Sequence, residues 1–179
     1  MEYEGREWVF ETPTPALALS VRKLQDVSGM ALAQALQDLL MDWMLLDDWV
    51  DFFADLRNGR LPDDALPELF MRWLEEATGK PFSAVGALSS VAVRSWNVVR
   101  GRLVMAGIPD PARQLRTLAA LLDAVDVMIR EGHKNEKETA KYEREVYRPR
   151  QKHGAIEKPA GFERDDMAAQ AALLAAYED

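Results

Sequence analysis

The chain has 179 residues, is 48% hydrophobic and carries a formal net charge of -8 at pH 7, which suits one soluble domain with its own core. Because it contains no cysteine, disulfides, thiolate metal sites and a cysteine nucleophile are excluded. The acidic balance disfavours a general role in coating nucleic acid, because phosphate binding relies on clustered Lys and Arg side chains.

The first dozen residues carry the aromatic and β-branched residue types that suit a strand, among them Trp8, Val9 and Phe10. Glu4-Gly5 fits the turn of a short hairpin. Such a hairpin needs a helix or another strand to cover its aromatic side chains. We therefore predict a short N-terminal β-hairpin or extended strand.

Apolar residues then recur at helical spacing. Residues 14–29 fit an amphipathic helix that Ser28-Gly29 closes, and a second apolar pattern follows it. Asp47 or Asp48 is expected to cap a third helix, which Asn58-Gly59 ends. The acidic aromatic stretch DWMLLDDWVDFFADL, residues 42–56, lies across the last two segments.

Three further segments are expected between residues 63 and 132. Asp63 can cap a helix that ends at Gly79. Residues 82–88 are small and apolar and fit a loop, after which Ser89 or Ser90 caps a helix ended by Gly107. Asp110 and Pro111 then begin a continuous leucine-rich helix that runs to Gly132.

The composition changes at Glu131, after which the chain is dense in charge and poor in aliphatic residues. We predict a mainly α protein: a small helical bundle with the N-terminal hairpin and a charged C-terminal tail. Residues 1–131 form the helical domain, residues 132–162 a charged helix or flexible linker, and residues 163–179 a short alanine-rich helix.

No pattern indicates catalysis. Asp47, Asp51 and Asp55 share a helical face that could hold a cation, but a solvated acidic face is the commoner arrangement. The two histidines, His133 and His153, have no metal-binding spacing. We expect no enzyme activity, no metal and no cofactor. We also expect no secretory signal and no membrane span, since no apolar run approaches about 20 residues.

Arginines cluster between residues 94 and 116 and offer an alternative role in binding DNA. Arg94, Arg100 and Arg102 would contact phosphates if the protein were a small DNA-binding regulator. The net charge of the chain argues against this alternative.

The aromatic side chains have two interpretations, core or partner surface. Their helical spacing is typical of the core of a bundle. Apolar positions in residues 42–56 nevertheless cover more than one narrow stripe, so one side of this segment is expected to face a partner. The candidate partner-binding residues there are Trp43, Trp49, Phe52 and Phe53.

Several segments together resemble the tail assembly chaperones of long-tailed, siphovirus-type phages of actinobacteria. They are the aromatic N-terminus leading into TPTP, the segment WLEEATG at residues 73–79, residues 96–107, and the Pro109-Asp110-Pro111 start of the leucine-rich segment. The resemblance covers about residues 1–131 in order.

The resemblance implies a non-enzymatic helical protein that coats the hydrophobic tape measure protein until tail tube subunits polymerise around it. Other implied partners are the tail tube protein and a longer frameshifted form of the chain, and a homo-oligomer is left open. The implied location is the host cytoplasm and not the mature virion. A helical minor tail or virion protein is the alternative.

The end of the chain provides a second candidate docking segment. Its apolar residues would bind the partner or link subunits; they are Met167, Leu173, Leu174 and Tyr177.

Overall fold

The N-terminal segment forms an antiparallel hairpin in a computed structural model that describes residues 1–148. Strand β1 is Glu2–Tyr3 and strand β2 is Arg6–Glu7, with Tyr3 opposite Arg6. Both turn residues, Glu4 and Gly5, have positive φ angles, as a two-residue hairpin turn with the twist of the strands requires. The predicted hairpin is confirmed.

Nine helices follow within the described residues, so the mainly α fold class is also confirmed. They are α1 (Leu17–Leu24), α2 (Gly29–Trp43), α3 (Leu46–Arg57), α4 (Ala65–Thr78), α5 (Phe82–Arg94), α6 (Trp96–Met105), α7 (Pro111–Gln114), α8 (Leu118–Glu131) and α9 (Glu136–Val146). The predicted terminal helix, residues 163–179, lies outside the described residues, as do residues 149–162 of the predicted charged segment.

Helix α5 lies at the centre of the bundle and packs against α1, α4 and α8. Helix α4 also packs against α2, and α2 packs against α3. Helix α6 packs against α5, α7 and α8. Contacts therefore connect α3 to α6 through α2, α4 and α5.

Two helix starts differ from the sequence prediction. Ser28 and Gly29 begin α2 and do not close α1, which already ends at Leu24. Helix α3 begins at Leu46 after an extended Leu45. Asp48 lies in its first turn, where a negative charge is favourable, and its carboxylate accepts a hydrogen bond of 2.9 Å from the Val9 backbone N–H.

The loop predicted for residues 82–88 is wrong, because α5 begins directly after Pro81. The backbone N–H of Phe82 is satisfied by the Glu75 carboxylate of α4 at 2.9 Å. A Cβ at Gly86 would lie 2.8 Å from the Gln25 side chain. The small residues that suggested a loop therefore allow α1 to pack closely on a central helix.

The continuous helix predicted from Asp110 to Gly132 is divided into α7 and α8. The Thr117 hydroxyl accepts a hydrogen bond from the Ala120 N–H and caps α8. The Leu118 N–H donates instead to the Pro13 carbonyl at 2.7 Å. In an uninterrupted helix the Leu118 N–H would donate to a carbonyl of the preceding turn. Its bond to Pro13 is therefore formed where the helix is interrupted.

Candidate partner-binding surface

The chain bends sharply between α2 and α3, and backbone hydrogen bonds hold the bend. Met44 is extended and forms an isolated bridge with Phe10. The Glu11 N–H donates to the Trp43 carbonyl at 2.8 Å, and the Leu45 N–H donates to the Val9 carbonyl at 3.1 Å. The segment after the hairpin thus fixes the angle between the two helices.

The structure gives two of the predicted partner-binding rings a core position. Phe52 is 0% exposed and Trp49 is 9% exposed. The buried Trp8 ring packs edge-on against Phe52 with a centroid distance of 5.4 Å. Because both rings are buried, Trp49 and Phe52 are core residues in this fold, contrary to their predicted place on a binding surface.

The other two predicted rings are half-buried. Trp43 lies against Trp73 with a centroid distance of 6.0 Å. Phe53 lies against Trp49 at 4.0 Å. Phe53 also follows Val50 by three residues, so helical geometry places it at the border between the core and the exposed side of α3.

Aliphatic side chains occupy the exposed side of the bend. Leu46 is 72% exposed and Val50 is 57% exposed, and their spacing of four places them on one face of α3. We call this exposed group the elbow surface: Val9, Met41, Leu45, Leu46 and Val50. Helical spacing in the sequence suggested an apolar excess here, but did not indicate which residues formed it.

The segment that carries most of the elbow surface is rich in aspartate. Residues 24–56 contain seven Asp and no Lys or Arg. Arg6 of the hairpin forms an ion pair with Asp51. Asp42 and Asp47 are exposed and form no ion pair with any residue in the described part of the chain. The surface therefore combines apolar side chains with a negative rim.

A second apolar surface lies on α6 and has the opposite charge. Val98 is 64% exposed and Met105 is 83% exposed. Gly101 and Arg102 lie between them at helical spacing, and Arg94 is exposed at the end of α5. We call these five residues the α6 surface. A Cβ at Gly101 would have no neighbour within 4 Å, so close packing inside the fold does not explain this glycine.

Polar groups link α8 to α9. Asp126 accepts hydrogen bonds from the Tyr142 hydroxyl at 2.5 Å and from Arg130 Nε at 3.0 Å. Arg130 also donates to the Glu143 carboxylate, and the Ser83 hydroxyl donates to the Val146 carbonyl. Burial and the bond to Asp126 raise the pKa of Tyr142 far above its usual value. Each group has a structural partner, so we regard this cluster as an anchor for α9.

The remaining candidates add no chemical site. His133 Nδ1 lies 3.1 Å from the Thr139 hydroxyl, and His153 lies outside the described residues. So do the predicted docking residues Met167, Leu173, Leu174 and Tyr177. Within residues 1–148 no group of three His, Cys, Asp or Glu side chains could hold a metal ion. No helix in this range is long and apolar enough to cross a membrane.

Residues 91–178 match the model of a family of unknown function, DUF7240. The match begins near the end of α5, includes the α6 surface and does not reach the elbow surface. Because the function of this family is unknown, the match does not indicate an activity. No curated protein matches the chain, and no solved structure does.

Proposed function

We propose that the protein is a tail assembly chaperone of a long-tailed phage. It binds apolar helical segments of the tape measure protein and keeps them in solution before the tail tube forms around them. The observation that carries this proposal is the elbow surface, where large aliphatic side chains are exposed in a segment rich in aspartate. The sequence resemblance described above supports the same role.

The elbow surface has the chemistry that a helical client requires. Exposed aliphatic side chains in a group mark an interaction site. An amphipathic helix places its anchors at spacings of three and four, which matches the spacing of Leu46 and Val50 on α3. The client helix would lie across the bend and cover these side chains.

The aspartates contribute solubility and selectivity. An excess of one charge keeps the free chaperone from associating nonspecifically. It also favours client helices with Lys or Arg beside their apolar face, and opposes acidic competitors. Binding through a small aliphatic surface is weak enough for tail tube subunits to displace the chaperone.

The role is one of binding, without a chemical step or cofactor. The proposal places the protein in the host cytoplasm during assembly and outside the mature virion. Its partners are the tape measure protein, the tail tube protein and a longer frameshifted form of the chain. Mass spectrometry of purified particles tests this location, because a permanent tail component would be present in every virion.

Co-expression of the full chain with tape measure fragments from the same phage tests the binding role. The wild type should keep a fragment in the soluble fraction. Val50→Asp and Leu46→Asp should lose this effect, because each places a carboxylate in the apolar contact. Val127→Asp is the matched control, since Val127 is similarly exposed on α8.

Folding of each variant is checked by circular dichroism. The proposal fails if Val50→Asp and Leu46→Asp remain folded and solubilise the fragment as well as the wild type does. It also fails if the wild type has no effect on any tape measure fragment.

A further inference from the structure

The chain separates its charges between two surfaces. Residues 24–56, which carry most of the elbow surface, contain seven Asp and no basic residue, and Arg6 of the hairpin pairs with one of them, Asp51. Residues 77–109 carry Lys80, Arg94, Arg100 and Arg102, and no acidic residue. A local basic excess in a chain of net charge -8 makes the α6 surface complementary to the elbow surface.

Some charged groups at and beside the two surfaces are available for new contacts. Arg102 is already paired with Glu131 at 3.3 Å, and Lys80 with Asp123 at 2.7 Å. Arg94 and Arg100, by contrast, form no ion pair with the residues that the structure describes, and the same is true of Asp42 and Asp47. Pairing between the two surfaces would therefore break no ion pair made by these four residues.

The apolar parts are complementary as well. The α6 surface presents Val98 and Met105, and the elbow surface presents Leu46 and Val50. Gly101 lies between Val98 and Met105 with open space above it. Glycine within a helix is unfavourable, and a position without a side chain allows a neighbouring helix to approach closely.

One molecule cannot join its own two surfaces. Both surfaces are exposed in the folded chain, and contacts connect α3 to α6 through α2, α4 and α5. The complementary surfaces can therefore meet only between two copies of the chain.

We propose that the α6 surface of one copy binds the elbow surface of a second copy. Such a contact joins two different surfaces. Each pair of copies therefore still has one free elbow surface and one free α6 surface, so the assembly extends into linear oligomers or closes into rings. Arg94 would pair with Asp42 or Asp47 of the neighbour, while Met105 would contact Leu46 and Val50. A tape measure segment and a neighbouring copy would compete for the same elbow surface. Binding of the segment would therefore shorten the oligomers.

Sedimentation velocity of the full chain, without any client, tests this contact. The wild type should sediment faster as its concentration rises, and more so at low salt. Val50→Asp blocks the elbow surface and Met105→Asp blocks the α6 surface. Each should weaken self-association roughly tenfold or more, whereas Val127→Asp should behave as the wild type.

A mixture of the two blocked variants provides the sharpest test. Each variant retains the surface that the other has lost, so the mixture should form a dimer of one copy of each and nothing larger. Gly101→Leu provides a test without a change of charge. It should also weaken self-association while the protein remains folded.

The proposal is overturned if the wild type remains a monomer at all concentrations, or if the mixture of blocked variants remains monomeric. Salt-sensitive retention of duplex DNA through Arg94 and Arg100, without self-association, would assign the α6 surface to nucleic acid and also overturn it. The sedimentation assay contains no tape measure fragment. It can therefore reject self-association while the solubility assay supports the chaperone role, or the reverse.

Discussion

The Tyr142 hydroxyl of α9 donates a hydrogen bond of 2.5 Å to the Asp126 carboxylate of α8. Helix α9 has no fully buried residue, although Val146 packs against the core, so polar contacts contribute much of its attachment. The same carboxylate accepts a bond from Arg130, which reaches Glu143 of α9. The attachment of α9 therefore depends on the charge of Asp126.

This dependence predicts a response to acid. Burial opposes ionisation of Asp126, but hydrogen bonds from Tyr142, Tyr147 and Arg130 outweigh it and lower the pKa of Asp126. A carboxylate with a lowered pKa in the folded state stabilises that state fully above its pKa in the unfolded chain, about 3.9. The contribution is lost as pH falls through the folded pKa.

Asp126→Asn should therefore destabilise the protein at pH 7 by about 1–3 kcal/mol. The difference from the wild type should shrink below about pH 4. Urea unfolding at several pH values measures the difference in stability, and hydrogen exchange of the α9 amides shows whether the loss occurs at α9. A difference that is constant from pH 7 to pH 3 would show that the charge of Asp126 does not hold α9.

Two neighbouring positions on α3 should respond in opposite ways to the same substitution. Val50→Asp should change the free energy of unfolding by less than about 0.5 kcal/mol, because the side chain is exposed. Phe52→Asp should abolish folding, because an unpaired carboxylate would replace a ring packed against Trp8. Thermal and urea unfolding compare the two. Unfolding of Val50→Asp would mean that the elbow surface belongs to the core.

Two glycines should likewise respond oppositely to alanine. Gly101→Ala should stabilise the protein by about 0.5–1 kcal/mol, since Gly101 lies in a helix with open space around it. Gly79→Ala should destabilise it by roughly 1 kcal/mol, because Gly79 ends α4 with a φ of 66°. Urea unfolding checks both. Destabilisation by Gly101→Ala would reveal packing within the monomer at that position.

The division between α7 and α8 predicts the effect of removing a cap. Thr117→Ala should cost about 1 kcal/mol, because the Ala120 N–H loses its acceptor. Thr117→Ser retains the hydroxyl and should keep most of the stability. Equal losses in both variants would indicate that Thr117 acts through its methyl group instead of its hydroxyl.

Local signals in the sequence determined much of the fold. Glu4-Gly5 indicated the hairpin because Gly5 tolerates the positive φ that the turn requires. Apolar spacing in α4 predicted the buried face that carries Leu69, Phe70 and Leu74. Such signals depend on neighbouring residues within one element, so no tertiary information is needed to interpret them.

Tertiary contacts decided the central helix and the break before α8. The small residues at positions 82–88 show no one-sided apolar pattern of the kind that marks an amphipathic helix. The reason is that α5 packs against other helices on several sides. The break at Thr117 coincides with a backbone bond from Leu118 to Pro13, more than 100 residues away in the chain. The central helix has no clear local signature, and the capping residue Thr117 is the one local signal at the break.

The sequence by itself determined that residues 42–56 carry more apolar side chains than one helical stripe can bury. Only the tertiary structure decided which of them remain exposed. Trp8 packs on Phe52, and Trp49 is also buried, whereas Leu46 and Val50 remain in solvent. The physical reason is that helical spacing fixes which side chains share a face, whereas burial of that face depends on a segment brought there by the fold.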